Sequence, residues 1–506
     1  MRSRTEEFLK GTLSSILLQM IIMASGFIIP RVMMVVYGSE INGIVTSLTQ
    51  FINYFTLIEA GLGGAAIFAL YKPLASEDRP RINSILSASR NLYLRSGAIF
   101  LALVLVLAVV FPFFTKGSDL RYWEVLLLSV IIGMTGVLDF FTLSKYRVLL
   151  TADQRVYVVS LASAVYYVLY TAIIAFASFL SVSIVVIRAI AILAIFVRSL
   201  ILVLYCRRRY RWIDFSVAPD YSAIEAKGDV LYQQICGMVQ TGMPVILATL
   251  LLKDFAMVSV FTVYNMVLTG INGILGVFST SLSSGFGNLV VQNDKPRLRN
   301  TYGEFEAAYQ ILITVAYTAT LFLILPFVRL YTADVTDANY ILPLFAMLAV
   351  WNGFFYNVKT PVSMLVVSAG MYRETRMQNT LTAAIIVVLG IPFTLLWGLE
   401  GIMIASILSN VYRTVDFVFF VHKHITEDSP RESIWRMVRA LSCMTVATVL
   451  AVLLPLPIQS IGSWILWALL TTLAMGLSVI AALGIVDRAA LRGLVMRLSR
   501  FVKKRG

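Results

Sequence analysis

The chain has 506 residues, of which 59% are hydrophobic and 13% charged, and its mean hydropathy is +0.84. Apolar runs of about 20 residues recur from end to end, and each is long enough to span the ~30 Å hydrocarbon layer of a bilayer. This composition excludes an ordinary soluble protein, and it excludes a β-barrel, whose strands are short and alternating. The net charge of +14 lies in short gaps between apolar runs, a distribution that orients membrane proteins and does not indicate nucleic-acid binding.

The sequence predicts an all-α, polytopic membrane protein with about 14 transmembrane helices. Gaps on one side of the membrane are rich in Lys and Arg, whereas gaps on the other side hold almost none. The positive-inside rule therefore places both termini in the cytoplasm, with the chain in the inner (plasma) membrane. The predicted spans are 12–37, 41–70, 92–115, 122–144, 155–179, 182–205, 229–252, 256–288, 304–330, 340–367, 379–398, 400–421, 435–455 and 461–486.

A weak internal repeat indicates two pseudo-symmetric six-helix lobes followed by two more helices. A shift of 216 residues places Ser25-Gly26 of span 1 on Thr241-Gly242 of span 7, although chance similarity between polar helices is the alternative. The predicted parts are an N-terminal lobe (1–210), a basic cytoplasmic linker (211–228), a C-terminal lobe (229–424), helices 13 and 14 (425–486) and a basic amphipathic tail (487–506). The tail is expected to lie on the anionic inner leaflet, unless it is simply solvated.

Two predicted spans carry a row of polar side chains along one helical face. Steps of three and four residues keep these positions on the same side of a helix. Polar side chains are unfavourable where a helix faces lipid. We therefore expect the two polar faces to line opposite walls of a cavity. The row on span 2 comprises Thr46, Gln50, Asn53 and Thr56, and the row on span 8 comprises Thr262, Asn265, Thr269 and Asn272.

Charged side chains also lie within spans, where each costs roughly 2.5–3.5 kcal/mol if it faces lipid near the bilayer centre. They must therefore face one another or a hydrated cavity. Arg413 and Asp416, three residues apart, are expected to form a structural pair, and Asp139 lies near the inner surface. For the others, a cavity role and a buried structural role are both open. These others are Arg31, Glu59, Arg188, Arg198 and Lys359.

The surplus of cations over carboxylates in these spans favours an anionic substrate. The planar fork of Arg bonds two phosphate oxygens at once, so phosphate is a suitable anion. No catalytic motif, Walker sequence or metal-ligand spacing is present, and His422 and His424 have no further ligands nearby in sequence. We therefore expect neither an enzyme nor a cofactor or bound metal.

One stretch resembles a known family. IPRVMMVVYGSEINGIVTSLTQFINYFTLIEAGLGGAAIFALYKPLA (29–75), together with AGMYRETR further on, resembles the polysaccharide transporter family of oligosaccharide flippases. These polysaccharide-biosynthesis membrane proteins belong to the multidrug/oligosaccharidyl-lipid/polysaccharide exporter superfamily. The resemblance implies a two-lobed bundle that flips an undecaprenyl-diphosphate-linked oligosaccharide outward by alternating access, for capsule, exopolysaccharide or cell-wall glycan export. It also implies glycan polymerases and glycosyltransferases as candidate partners.

The resemblance makes Arg31 the best candidate for a cavity cation. Spans 7 and 8 lack a matching charge and offer neutral side chains instead, among them Gln234 and Gln240. Two alternatives stay open at this point. The first is a multidrug exporter of the same superfamily, which would need an acidic cavity for cationic drugs. The second is a non-transporting scaffold of a glycan-assembly complex, in which the buried charges would serve only stability. Glu59 is either a partner that holds an arginine or a proton-linked switch.

Overall fold

The computed structural model describes residues 4–180, 182–224, 228–292 and 294–486. Every regular element in these ranges is helical, and twelve helical segments are long and apolar enough to cross a membrane. The predicted all-α, multi-span membrane fold is therefore confirmed. The predicted amphipathic tail, 487–506, lies outside the described residues.

The helices follow one another with short connections. Those of the first half are α1 (Arg4–Tyr37), α2 (Ser39–Phe55), α3 (Leu62–Ala75), α4 (Arg79–Val110), α5 (Tyr122–Leu138), α6 (Ser144–Ala152), α7 (Val156–Ser178), α8 (Ile184–Ala191), α9 (Leu193–Arg209) and α10 (Gly228–Leu247). Those of the second half are α11 (Phe255–Val291), α12 (Lys295–Tyr331), α13 (Pro343–Val358), α14 (Thr360–Ser368), α15 (Arg376–Val421), α16 (Arg431–Leu453) and α17 (Ile461–Val486).

The chain divides into two compact units. Unit 1 comprises Met1–Met238 and Ala248–Ser259, and unit 2 comprises Val239–Leu247 and Val260–Gly506. Helix α10 thus contributes to both units, as does α11. The predicted lobe boundaries at 210 and 229 stay a prediction, since the compact units are defined by packing and not by the repeat.

In unit 1, α1 packs along α7, and α4 packs between α3 and α5. Two apolar clusters fill the space between these helices, one around Phe100 and Phe140 and the other around Ile44 and Phe111. A π-helical turn, Asp139–Leu143, joins α5 to α6. Since such turns commonly accompany functional sites in helices, the charged groups near it are of interest.

Predicted span 2 is not one continuous helix. Helix α2 ends at Phe55, a 3-10 turn covers Thr56–Glu59, and α3 begins at Leu62. Gly61 has a φ of 85°, a left-handed conformation that glycine adopts without steric cost. The helix breaks at this glycine and at the irregular turn before it. Glu59 therefore lies in the turn and not in a regular helix.

Two further departures from regular helix explain the count of spans. Predicted span 10 is divided at Lys359 into α13 and α14. Helix α15 contains predicted spans 11 and 12, with a hinge at Gly398 (φ 60°, ψ −132°). A Cβ on Gly401 would lie 1.9 Å from the carbonyl oxygen of Phe393, so the backbone closes tightly on itself there. Counting α15 as two crossings and α13–α14 as one more brings the twelve segments to the predicted fourteen.

In unit 2, α12 is the central helix and contacts α13, α16 and α17. The indole nitrogen of Trp464 on α17 donates a hydrogen bond to the carbonyl oxygen of Leu323 over 3.1 Å. The fully buried carboxylate of Glu306 accepts hydrogen bonds from Ser433 at 2.6 Å and Arg436 at 2.8 Å, both on α16. Polar contacts thus fix the last two helices where lipid would not drive them to pack.

Candidate functional site

Unit 1 contains a cluster of alternating charges. The broken helix places the carboxylate of Glu59 against the guanidinium of Arg147 on α6, with which it forms a hydrogen bond and ion pair. Arg147 also lies 3.5 Å from a carboxylate oxygen of Asp139, whose other oxygen lies 3.3 Å from Arg198 on α9. Four helical segments therefore converge on one network, and each charge in it has an opposite neighbour, as buried charges require.

Tyrosine side chains surround this cluster. The hydroxyl of Tyr93 on α4 donates to Glu59 over 3.2 Å. On α7, Tyr166 lies against Arg198, with the guanidinium carbon 5.9 Å from the ring centroid, and Tyr170 holds Arg188 in the same way and by a hydrogen bond. Aromatic faces attract guanidinium groups, and they leave the edges of the guanidinium open to other acceptors.

The arginines of this cluster retain hydrogen-bonding capacity. Arg188 is 7% exposed, and its described partner is the Tyr170 hydroxyl, while the Nε atoms of both Arg188 and Arg198 are buried without an acceptor. Among the described residues, Arg147 and Arg198 pair with the carboxylates of Glu59 and Asp139, and Arg188 has no described ion pair. An anion with several oxygens would supply acceptors and balance the remaining positive charge.

The other predicted residues of unit 1 lie on the first two helices. Arg31 on α1 and both Thr46 and Gln50 on α2 are half-buried, whereas Asn53 and Thr56 are exposed. The Thr56 hydroxyl donates to the carbonyl oxygen of Asn53 over 2.6 Å. The row of polar residues is therefore present on α2, but its last member belongs to the 3-10 turn and not to the helix. That these residues line a cavity stays a prediction.

Unit 2 contains a cavity of about 450 Å³. It is built from α10, α11, α12, α13 and α15, together with the first residue of α14. Among the described residues that line it, none is charged and most are amides, hydroxyls or aromatic rings. The polar ones are Gln240, Thr241, Tyr264, Asn265, Thr269, Asn272, Ser279, Tyr309, Asn352, Tyr356, Asn357, Thr360, Ser406 and Asn410.

One wall of the cavity contains a hydrogen-bonded group around Asn357. Its side-chain nitrogen donates to the backbone carbonyl of Gly353 at 2.9 Å, to Asn272 at 2.6 Å and to the hydroxyl of Tyr317 at 2.8 Å. Tyr317 in turn donates to Asn272 over 2.8 Å, and Tyr309 donates to the Asn357 oxygen over 3.1 Å. These contacts join α11, α12 and α13 across the cavity.

A second wall contains a hydrogen-bonded group around Asn410. Its side-chain oxygen accepts from the ammonium of Lys359 at 2.8 Å and from Gln240 at 3.0 Å. Its nitrogen donates to the oxygen of Asn352 over 2.9 Å. Lys359 is 7% exposed, and its Nζ lies 4.4 Å from the ring centroid of Tyr356. The ammonium thus stands immediately behind two residues of the wall.

The cavity brings together four of the residues singled out in the sequence: Gln240, Asn265, Thr269 and Asn272. Lys359 contacts its wall from behind, but neither Gln234, which is exposed on α10, nor the half-buried Thr262 is part of the lining. The expected pair Arg413–Asp416 is present at 3.3 Å. That these residues bind a substrate stays a prediction.

Several residues of both sites were not singled out in the sequence. The predicted spans 122–144 and 155–179 leave Arg147 in a basic gap, whereas the structure places it on α6, paired with Glu59. Asn352, Asn357 and Asn410 lie in apolar spans, and all three are part of the cavity wall. Polar residues within spans generally face the bundle interior. The neutral amides in spans 10 and 12 therefore predict an interior position in the same way as the charged residues do.

Comparison with known proteins adds information on the fold. No protein-family model matches the chain, and no curated protein matches it. Among solved structures, the lipid II flippase MurJ in an inward closed conformation aligns with a TM-score of 0.66 at 14% identity, over 93% of this chain and 97% of MurJ. An inward-facing multidrug resistance MATE-family transporter of the MOP superfamily aligns with a TM-score of 0.65 at 14% identity, over 86% and 99%.

A third solved structure has the same fold as these two. A point mutant of VcmN, a MATE transporter of Vibrio cholerae, aligns with a TM-score of 0.58 at 14% identity, covering 85% of this chain and 98% of VcmN. The alignments extend over nearly the whole length of each neighbour. The chain is thus a multi-span helical membrane protein with the fold seen in these MATE-family transporters and in the lipid II flippase MurJ.

Proposed function

We propose that the protein is a flippase that moves an undecaprenyl-diphosphate-linked oligosaccharide from the cytoplasmic to the outer leaflet of the plasma membrane. The observation that carries the proposal is the neutral, polar cavity of unit 2, whose described lining holds amides, hydroxyls and aromatic rings without a carboxylate. Sugar hydroxyls pair well with such groups, and aromatic rings contact the apolar faces of sugar rings. The fold likeness to the lipid II flippase MurJ supports the same class of cargo.

The cations of unit 1 suit the diphosphate of such a cargo. Arg188 and Arg198 each present a buried Nε without an acceptor, and their guanidinium faces rest on tyrosine rings. An arginine held in this way binds phosphate oxygens without losing much side-chain entropy. Arg31, the candidate named by the sequence, is half-buried on α1 and remains part of the proposed phosphate site.

A multidrug exporter is the second candidate. The likeness to MATE-family transporters favours it, and so do Tyr264, Tyr309 and Tyr356 in the cavity lining, since tyrosine faces attract organic cations. The absence of a carboxylate among the described lining residues weighs against it, because an acidic group stabilises a cationic drug far better than a ring alone.

The two candidates differ in what a reconstituted protein moves. The purified chain should be placed in liposomes that contain either a fluorescent undecaprenyl-diphosphate oligosaccharide or a lipophilic cationic dye inside. A flippase makes the lipid-linked glycan accessible to an external lectin over time and leaves the dye distribution unchanged. A drug exporter moves the dye and not the glycan. If neither cargo moves, the scaffold alternative becomes the leading one.

A further inference from the structure

The walls of the unit 2 cavity have a defined hydrogen-bond direction. An amide side chain could in principle be turned either way, because its oxygen and nitrogen look alike in shape. A partner that is able only to donate, or only to accept, removes this ambiguity. Each of the two hydrogen-bonded walls contains one such partner.

In the wall around Asn410, the fixed partner is Lys359. An ammonium has only donors, so the atom of Asn410 that lies 2.8 Å from Nζ must be its oxygen. The nitrogen of Asn410 then faces Asn352 over 2.9 Å, so the facing atom of Asn352 must be an oxygen. The amino group of Asn352 is left on the other side, and it has no hydrogen-bond partner among the described residues.

In the wall around Asn357, the fixed partner is the backbone carbonyl of Gly353, which has only acceptors. It lies 2.9 Å from the Asn357 nitrogen, and this nitrogen also lies 2.6 Å from Asn272, whose facing atom must again be an oxygen. The amino group of Asn272 is therefore left over as well. Neither leftover amino group is among the buried atoms that lack a partner, so both are open to the cavity that Asn272 and Asn352 line.

Lys359, which lies behind the wall around Asn410, also favours an anionic ligand. Lys359 is buried, and its described contacts are the Asn410 oxygen and the ring of Tyr356. The charged group that acts on it is the guanidinium of Arg413, which carries the same sign and pairs with Asp416. Buried charges act over longer distances than exposed ones because they are screened less. The cavity thus offers N–H donors that face its interior, and behind them lies a buried lysine without a described carboxylate partner.

We infer that the unit 2 cavity binds an anionic, acceptor-rich group of the cargo, namely the carboxylate of an acidic sugar. This inference rests on the proposed glycan cargo, and it assigns to unit 2 a recognition role separate from that of the diphosphate in unit 1. Lys359 acts as a positioning residue, since it fixes the direction of Asn410 and, through it, of Asn352. A neutral N-acetyl sugar is the competing ligand, because its amide oxygen is also an acceptor.

The test measures binding to the full-length protein in detergent micelles, without any transport. Ligand-observed NMR titrations would compare methyl α-D-glucopyranosiduronate with methyl α-D-glucopyranoside, which differ in the carboxylate, and with the methyl glycoside of N-acetylglucosamine. We expect the uronate to bind at least about tenfold more tightly than both neutral sugars. Equal affinities, tighter binding of a neutral sugar, or no binding of any of the three would overturn the inference.

Matched variants show whether the amino groups carry the preference. Asn352→Asp and Asn272→Asp keep the side-chain oxygen that faces the wall. Each replaces only the amino group that faces the cavity by a charged oxygen, so each should abolish the preference for the uronate. Asn339→Asp adds the same charge on an exposed loop outside the lining and should preserve it. Lys359→Met should reduce the preference to below about threefold. A preference that survives both cavity variants, or that the control also loses, contradicts the assignment.

Binding and transport report on separate claims. If the wild type prefers the uronate but fails to move a lipid-linked glycan, the proposed flippase function is wrong and the anion site stands. If the glycan is moved but the three sugars bind equally, the anion site is wrong and the flippase function stands.

Discussion

The guanidinium of Arg147 on α6 donates a hydrogen bond to the carboxylate of Glu59, which lies at the break between α2 and α3. This contact joins two parts of unit 1 that are 88 residues apart in the chain. Because Arg147 also lies next to Asp139, and Asp139 next to Arg198, it links the irregular turn to Arg198, one arginine of the proposed phosphate site. Glu59 thus pairs with an arginine, and the choice between a partner that holds this arginine and a proton-linked switch stays a prediction.

The first prediction concerns the stability that Glu59 provides. Glu59→Gln removes the negative charge beside Arg147, and we expect the free energy of unfolding to fall by about 1–3 kcal/mol, because a half-buried arginine loses its partner. Denaturant titration in detergent micelles measures this. Glu77→Gln, an exposed carboxylate of the same unit, is the control and should shift the free energy by less than about 0.5 kcal/mol. Equal stability of both variants would show that the ion pair contributes nothing.

The second prediction concerns the arginines that are proposed to bind phosphate. Arg188→Met removes a guanidinium whose Nε lacks an acceptor and should lower the rate of glycan flipping in liposomes at least about tenfold, the expected loss for one charged hydrogen bond. Arg188→Lys keeps the charge and should restore part of the rate. Arg207→Met, at the exposed end of α9, should leave it unchanged. A wild-type rate in Arg188→Met removes this residue from the site.

The third prediction uses two carboxylates that share one arginine. Arg436 lies 2.8 Å from Glu306, which is fully buried, and 3.1 Å from Glu432, whose side chain is 84% exposed. Glu306→Gln should lower the free energy of unfolding by about 3–5 kcal/mol, because the buried guanidinium of Arg436 loses its buried counter-charge and keeps only the exposed carboxylate of Glu432. Glu432→Gln should change it by less than about 1 kcal/mol. Similar values for the two variants would mean that burial does not decide the strength of these contacts.

The fourth prediction concerns the helical hairpin within α15, whose backbone turns at Gly398 and brings Gly401 close to Phe393. Gly401→Ala places a methyl group 1.9 Å from the carbonyl oxygen of Phe393 if the backbone does not move. We expect a loss of more than about 3 kcal/mol in unfolding free energy, a value typical of severe overpacking, and reduced expression. Gly476→Ala on α17 meets nothing within 4 Å and is the matched control. A stable Gly401→Ala variant would show that the hairpin is loosely packed.

Much of the fold follows from the sequence because membrane spans are long and their hydropathy signal is strong. The positions of breaks follow less directly. Gly61 and Gly398 both adopt positive φ, but many glycines in the chain do not, and no local pattern separates the two kinds. The sequence predicts a continuous span 10, whereas the structure divides it at Lys359. Pro361 in the first turn of α14 has no backbone N–H to continue the helical hydrogen bonds.

The sites were predictable where a single helix carries the pattern. Asn265, Thr269 and Asn272 follow helical spacing on α11 and lie together in the cavity lining. Partners from distant helices were not predictable in this way. Arg147 is close in sequence to Lys145 and Arg155, a pattern that indicates a basic gap. The π-helical turn at Asp139–Leu143 and the packing of α6 against α3 bring it to Glu59.

The central claim is tested most directly by liposomes that contain the purified chain and a fluorescent undecaprenyl-diphosphate oligosaccharide. The protein is expected to make the glycan of the inner leaflet accessible to an external lectin within minutes, whereas liposomes with Arg188→Met protein remain slow. Glycan that stays inaccessible with the wild-type protein, while a cationic dye is exported from the same liposomes, would contradict the flippase function and establish the drug exporter instead.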